Sequence, residues 1–115
     1  MTLDDLEARV RTCAAAFPET VEDHPWGESA FKVRGKVFLF LHRGDGELSL
    51  SVKLPASRDF ALVFDCAQPT GYGLGKSGWV TLTLAKADAI DPELVESWIA
   101  ESWRAIAPKR LVAAG

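Results

Sequence analysis

The residues most able to do chemistry stand together at Gly73-Leu74-Gly75-Lys76-Ser77-Gly78. This run fits G-x-G-x-x-G, a pattern whose backbone amides cradle a pyrophosphate when a strand precedes it and a helix follows. Here the alternating residues Trp79 to Leu84 follow, which predicts a strand, so the dinucleotide reading fails. With Val80 the run extends to the glycine-rich loop of protein kinases, but 115 residues cannot hold a kinase, and neither H-R-D nor D-F-G occurs. Gly75-Lys76-Ser77 also mimics the end of a P-loop, yet the first glycine of that motif would fall on Thr70. The run is therefore read as a flexible turn, in which Lys76 and free backbone N–H groups offer a weak phosphate contact.

Other chemistry is sparse. His24 lies beside Glu22 and Asp23, and His42 ends a predicted strand, but no third ligand stands at a recognisable spacing, so no metal site is expected. Asp4, Asp5 and Glu7 form an acidic ridge that also suits the positive end of a helix dipole. Neither a Ser-His-Asp nor a Cys-His arrangement is visible, so catalysis and cofactors are not expected. Cys13 and Cys66 are widely spaced and read as free buried thiols.

The elements that must position these residues follow from periodicity. Thr2 and Asp5 form a capping box for a helix whose buried stripe is Leu3, Leu6, Val10, Cys13 and Phe17, ended by Pro18. A polar loop is expected from Glu19 to Glu28, with Trp26 clamping it onto the core. Ser29–Val33 and Lys36–His42 alternate as strands, joined by the two-residue turn Arg34-Gly35. That register pairs Val33 with Lys36 and Phe31 with Phe38, and puts Phe31, Phe38 and Phe40 on one face. Leu48, Leu50, Val52 and Leu54 alternate with Ser49, Ser51 and Lys53 as a third, half-buried strand. Ser57 is placed to cap a short helix bearing Phe60, Val63 and Phe64. Asp91-Pro92 starts a last helix that carries Leu94, Val95, Trp98, Ile99, Trp103 and Ile106 and stops near Pro108. The predicted order is α-β-β-β-α-β-α, with one extra short strand near Tyr72. An antiparallel sheet with both terminal helices on one face, a two-layer α+β sandwich, fits this order over a single domain, residues 1–115.

Composition sets the outer bounds. With 48% hydrophobic and 25% charged residues the chain suits one globular domain, which excludes a disordered segment, a disulfide scaffold and a multidomain enzyme. No stretch is long and apolar enough for a membrane span, and the N-terminus is acidic, so a cytoplasmic protein without membrane contact is expected. The net charge of −3 hides a pattern. Residues 1–28 carry −5, residues 29–86 carry +4 and residues 87–115 carry −2. The basic excess is assigned to the sheet and its loops, the acidic excess to the helices. Lys32, Ser49, Ser51, Lys53, Thr81 and Thr83 would then share the sheet's open face with Trp79, and Arg34 its rim, a mixture suited to a polyanion.

Several segments together carry a family likeness. His24-Pro25-Trp26-Gly27, followed by Phe31-Lys32-Val33-Arg34-Gly35-Lys36-Val37-Phe38, resembles the MmcQ/YjbR family. Leu48-Ser49-Leu50-Ser51-Val52-Lys53 resembles its third strand. Tyr72, Lys76 and Trp79 match its Y-x-x-x-K-x-x-W segment, and Glu101-Ser102-Trp103 with Pro108-Lys109-Arg110-Leu111 matches its ending. The resemblance implies a compact α+β domain similar to the frataxin (CyaY-like) fold. It also implies DNA binding through a double-wing arrangement of sheet and loops, with Lys36, Lys53, Tyr72, Lys76 and Trp79 as the matching positions. Many members carry His and Asn around the Tyr-Lys-Trp segment, where this chain has Gly73, Gly75 and Gly78, so side-chain chemistry there reduces to Lys76.

The expectation is a non-enzymatic, monomeric binding domain whose partner is DNA. Lys32, Arg34, Lys36, Lys53 and Lys76 would make electrostatic contacts largely independent of sequence, with Trp79 or Tyr72 as a stacking residue. The alternative is a metal-handling or protein-partner adaptor of frataxin-like shape, acting through the acidic first helix. A small-molecule enzyme would need a closed pocket holding Lys53 or Tyr72.

Overall fold

Thr2 starts the first helix as its sequence requires. The Asp5 N–H donates to Thr2 Oγ1 at 3.1 Å, and the Thr2 N–H donates to the Asp5 carboxylate at 2.9 Å. This reciprocal box satisfies two donors that a helix N-terminus otherwise leaves open. Helix α1 (Leu3–Ala15) buries Leu6, Val10 and Ala14, with Leu3, Cys13 and Phe17 flanking them. The computed structural model describes residues 1–24, 28–71 and 73–114. Trp26 and Tyr72, expected as a clamp and as a stacking residue, lie outside the described residues.

Six strands form one antiparallel sheet: β1 (Thr20–Asp23), β2 (Ser29–Val33), β3 (Lys36–Gly44), β4 (Glu47–Lys53), β5 (Ala67–Pro69) and β6 (Trp79–Leu84). Their spatial order is β1-β2-β3-β4-β6-β5. Helices α1 and α3 (Pro92–Ile106) pack on one face, giving the two layers expected. Phe17 stacks on Trp103 with ring centroids 5.4 Å apart and so ties the two helices together. Trp98 is buried under Phe60 and Phe64 on the other side of the same helix.

Four local readings change. The segment expected as a polar loop contains β1, which pairs with β2 from Thr20↔Val33 to Asp23↔Ala30. Its four residues are mostly exposed, so an edge strand leaves no apolar alternation to read. Second, Phe31 pairs with Leu39 rather than Phe38, because the β2–β3 register slips between Phe31 and Lys32 and leaves Phe38 as an extra residue. A bulge of this kind resets the alternation. Phe38 turns to the helices and meets Phe17, whereas Phe40 goes to the open face against Trp79. Third, the extra short strand is Ala67–Pro69, ahead of the place expected for it. Fourth, the chain turns helical again after Pro108, in α4 (Lys109–Ala114), and its Leu111 and Val112 pack against the core.

The short helix α2 (Arg58–Ala61) buries only Ala61. Phe60 and Val63 remain 57% and 77% exposed. Ser57 stands at its cap position without capping it, because its hydroxyl donates instead to Glu101 at 2.6 Å.

Candidate nucleic-acid interface

The Arg34-Gly35 turn has both residues in the left-handed region, φ 52° and 79°, as a two-residue hairpin of primed type requires. It places Lys36 at the first position of β3, opposite Val33. Lys53 ends β4, opposite Trp79 at the start of β6. Lys76 belongs to the 3-10 turn Leu74–Ser77, which is bounded by Gly73 (φ 78°) and Gly78 (φ 92°) and leads directly into β6. The glycine run is thus a turn, closely packed at Gly75. A Cβ on Gly75 would sit 2.8 Å from the Pro69 side chain and 3.0 Å from the Thr70 carbonyl, so only glycine fits there.

These positions share one end of the sheet. The same end receives Arg58 from α2, directly after β4, and the C-terminal end of α3 with Arg104. Lys109 and Arg110 begin α4 three residues after α3 stops. At the opposite end stand Asp45 and Glu47 at the β3–β4 turn, Asp4 and Asp5 in the first turn of α1, and Asp88, Asp91 and Glu93 around the start of α3. Charge is therefore separated along the strand direction and not, as the segment totals suggested, between a basic sheet and acidic helices. Segment sums hid this because α1 and α3 are both polar in charge along their own lengths.

Partners divide the expected site residues. Lys32 Nζ is 3.1 Å from Asp23, across the β1–β2 pair. Arg34 holds Glu19 in a two-pronged pair, with Nη2 at 3.0 Å. The hydrogen bond from Arg34 keeps the Glu19 carboxyl below its ordinary range, and Lys32 does the same to Asp23. Both cations are thus compensated within the hairpin. Lys36 and Lys76 are exposed and Lys53 is half-buried, and among the described residues none of the three makes an ion pair.

The open face itself is less available than its alternation implied. Trp79 is only 7% exposed, with the Phe40 ring centroid 5.8 Å from its own, and cannot present a ring for stacking in this arrangement. Thr81 Oγ1 lies 2.7 Å from Ser51 Oγ and 2.9 Å from Thr70 Oγ1, so these hydroxyls bond to one another. Beside them an open cleft of about 390 Å³ is lined by Phe40, His42, Ser49, Thr70, Leu74 and Glu28 among others, without Lys53.

The acids of α1 are engaged as well. Asp4 pairs with Arg43 at 2.6 Å, Glu7 with Arg11 at 3.1 Å, and Asp5 serves the capping box. No group of three or more His, Cys, Asp or Glu stands close enough to hold a metal among the described residues. Cys13 and Cys66 are free, partly buried, and raised in pKa chiefly by burial, which keeps both as thiols.

The family model YjbR matches residues 15–105. The chain belongs to the YjbR family. The YjbR match spans β1 through almost all of α3, so the sheet, the glycine-rich turn, Arg58 and Arg104 lie within it, while Lys109 and Arg110 lie beyond it. The fold of this YjbR domain also matches solved structures. A Deinococcus radiodurans protein with a DUF419 domain superimposes with a TM-score of 0.72 at 24% identity, covering 92% of this chain and 78% of that one. A Pseudomonas syringae protein does so with a TM-score of 0.67 at 19% identity, covering 86% and 97% respectively. No curated protein matches the chain. No described helix is long and apolar enough to cross a membrane.

Proposed function

We propose that this YjbR domain binds the phosphate backbone of DNA with the end of its sheet, and not with the sheet's open face. One observation supports the reading above others: Lys36, Lys53 and Lys76, which make no ion pairs among the described residues, share an end with Arg58, Arg104, Lys109 and Arg110, where Glu19, Asp59 and Glu101 leave the cations in excess, while Asp4, Asp5, Asp45, Glu47, Asp88, Asp91 and Glu93 stand at the far end. A domain of net charge −3 approaches a polyanion poorly from most directions. Separation of charge along its length orients the approach, because the local field and not the total governs encounter. The contacts are to phosphates, so binding is nearly independent of base sequence and falls steeply with salt.

Fluorescence anisotropy of a labelled duplex, followed over a salt series, tests this. The triple variant Lys36→Ala, Lys53→Ala, Lys76→Ala flattens the slope of log affinity against log salt by about three units, one per lost phosphate contact. Absence of binding to the wild-type domain at low salt, or an unaltered slope in the variant, overturns the proposal.

A further inference from the structure

Arg58 was not among the residues singled out from sequence, yet it holds an unusual position. Its Nε is shut away from solvent and has no acceptor among the described residues. Among the described residues its only ion pair is a 3.3 Å contact with its neighbour Asp59, whose side chain is 96% in water and readily released. Arg58 and Lys76 line the same open cleft, with Ser77, Gly78, Leu54 and Pro55 completing it. We propose that this cleft is the seat of one phosphate group, held by the Arg58 guanidinium and the Lys76 ammonium.

The walls are built to stay in place. Leu54 N–H donates to the Gly78 carbonyl at 2.8 Å, which joins one wall to the other. The Lys76 wall is the turn that Gly75 packs closely against Pro69. The Arg58 wall is pinned by Glu101, whose carboxylate accepts from the Ala56 and Ser57 N–H groups at 2.9 and 3.0 Å and from the Ser57 hydroxyl. Walls held in place before a ligand arrives lessen the ordering that binding it requires. A guanidinium fork matches the geometry of phosphate oxygens, and a lysine adds a point charge. Because the cleft is open, a phosphodiester can enter with chain continuing on both sides.

This seat rests on the reading of the basic end as a DNA surface, but it is measured separately. Side-chain Nε–Hε resonances of arginine are followed in ¹⁵N-edited spectra, first with inorganic phosphate and then with the duplex. The Arg58 signal shifts saturably in both, and Lys76→Ala weakens the phosphate response several-fold while Lys86→Ala, at the other end of the domain, leaves it unchanged. In the duplex assay Arg58→Gln lowers the salt slope by about one unit. Circular dichroism checks each variant's fold, and Lys76→Gln serves if Arg58→Gln unfolds. An Arg58 signal unmoved by both ligands overturns the seat, even where Lys36→Ala still weakens duplex binding and the wider reading survives. A signal that saturates with inorganic phosphate while the duplex fails to bind supports the seat and removes the DNA reading.

Discussion

The Ser102 hydroxyl accepts the Lys53 N–H at 2.8 Å and donates to the Phe38 carbonyl at 2.5 Å. The regular β3–β4 ladder ends one step before, at Leu39↔Val52. Phe38 is the residue that the β2–β3 register leaves over, and at this level a side chain of α3 takes the place of a strand-to-strand bond. Ser102 is wholly buried, so no water can substitute. One hydroxyl therefore joins the helix layer to two strands and fixes the end of β4 that presents Lys53.

Replacing Ser102 with Ala leaves a buried donor and a buried acceptor without partners. The expected cost is about 1–3 kcal/mol of folding stability. Urea denaturation measures it, and hydrogen exchange at the Lys53 amide locates it. An unchanged denaturation midpoint with an unchanged Lys53 exchange rate would show that the inserted hydroxyl contributes nothing.

Gly75 and Gly71 make a matched pair of substitutions in one loop. Alanine at Gly75 brings its Cβ to 2.8 Å from the Pro69 side chain, whereas a Cβ at Gly71 meets nothing within 4 Å. Gly75→Ala is expected to cost about 1–3 kcal/mol through overpacking, and Gly71→Ala to leave stability nearly unchanged. Thermal melting of the two variants compares them, and equal melting temperatures would remove the packing argument for the turn.

Glu19 neutralises Arg34 at the end that is otherwise basic. Its carboxyl, and that of Asp23 beside Lys32, titrate below the ordinary carboxylate range because each accepts hydrogen bonds from its cation. A depressed folded-state pKa stabilises the fold above the unfolded value, and that contribution is lost as pH falls through the depressed folded value. The β1–β2 pair should therefore loosen only in acid, with the Glu19 and Asp23 carboxyl signals titrating below the ordinary range of their residue types in an NMR pH series. Glu19→Gln at neutral pH frees Arg34 and is expected to tighten duplex binding, with a salt slope steeper by about one unit. Weaker binding in that variant would place Arg34 outside the surface.

Much of the fold is legible in the residues. The Thr2 box, the Asp91-Pro92 start, the Arg34-Gly35 hairpin and the alternation from Leu48 to Leu54 are local signals, and local signals decide local elements. β1 is illegible because an exposed edge strand has no buried face to impose a pattern. Phe40 was assigned to the wrong face because one extra residue at Phe38 inverts every side chain beyond it on that strand. The proposed site is half legible: the residues by themselves point to Lys36, Lys53 and Lys76, but not to Arg58 or the cations of α3 and α4. Arg58 sits in a run whose apolar neighbours suggested only a buried helix, and the C-terminal cations were hidden inside a segment whose net charge is negative.

What the sequence alone determined is the inventory: where elements start and stop, which residues are apolar enough to form one core, and how many charges of each sign exist. Only the tertiary structure decided which charges cancel and which remain. Lys32 and Arg34 find Asp23 and Glu19 because a strand absent from the hydropathy pattern pairs beside them. Lys36, Lys53, Lys76 and Arg58 gather because antiparallel strands return their far-separated ends to one place. Coulomb interactions depend on distance in space and on burial, and neither is written in the order of the residues.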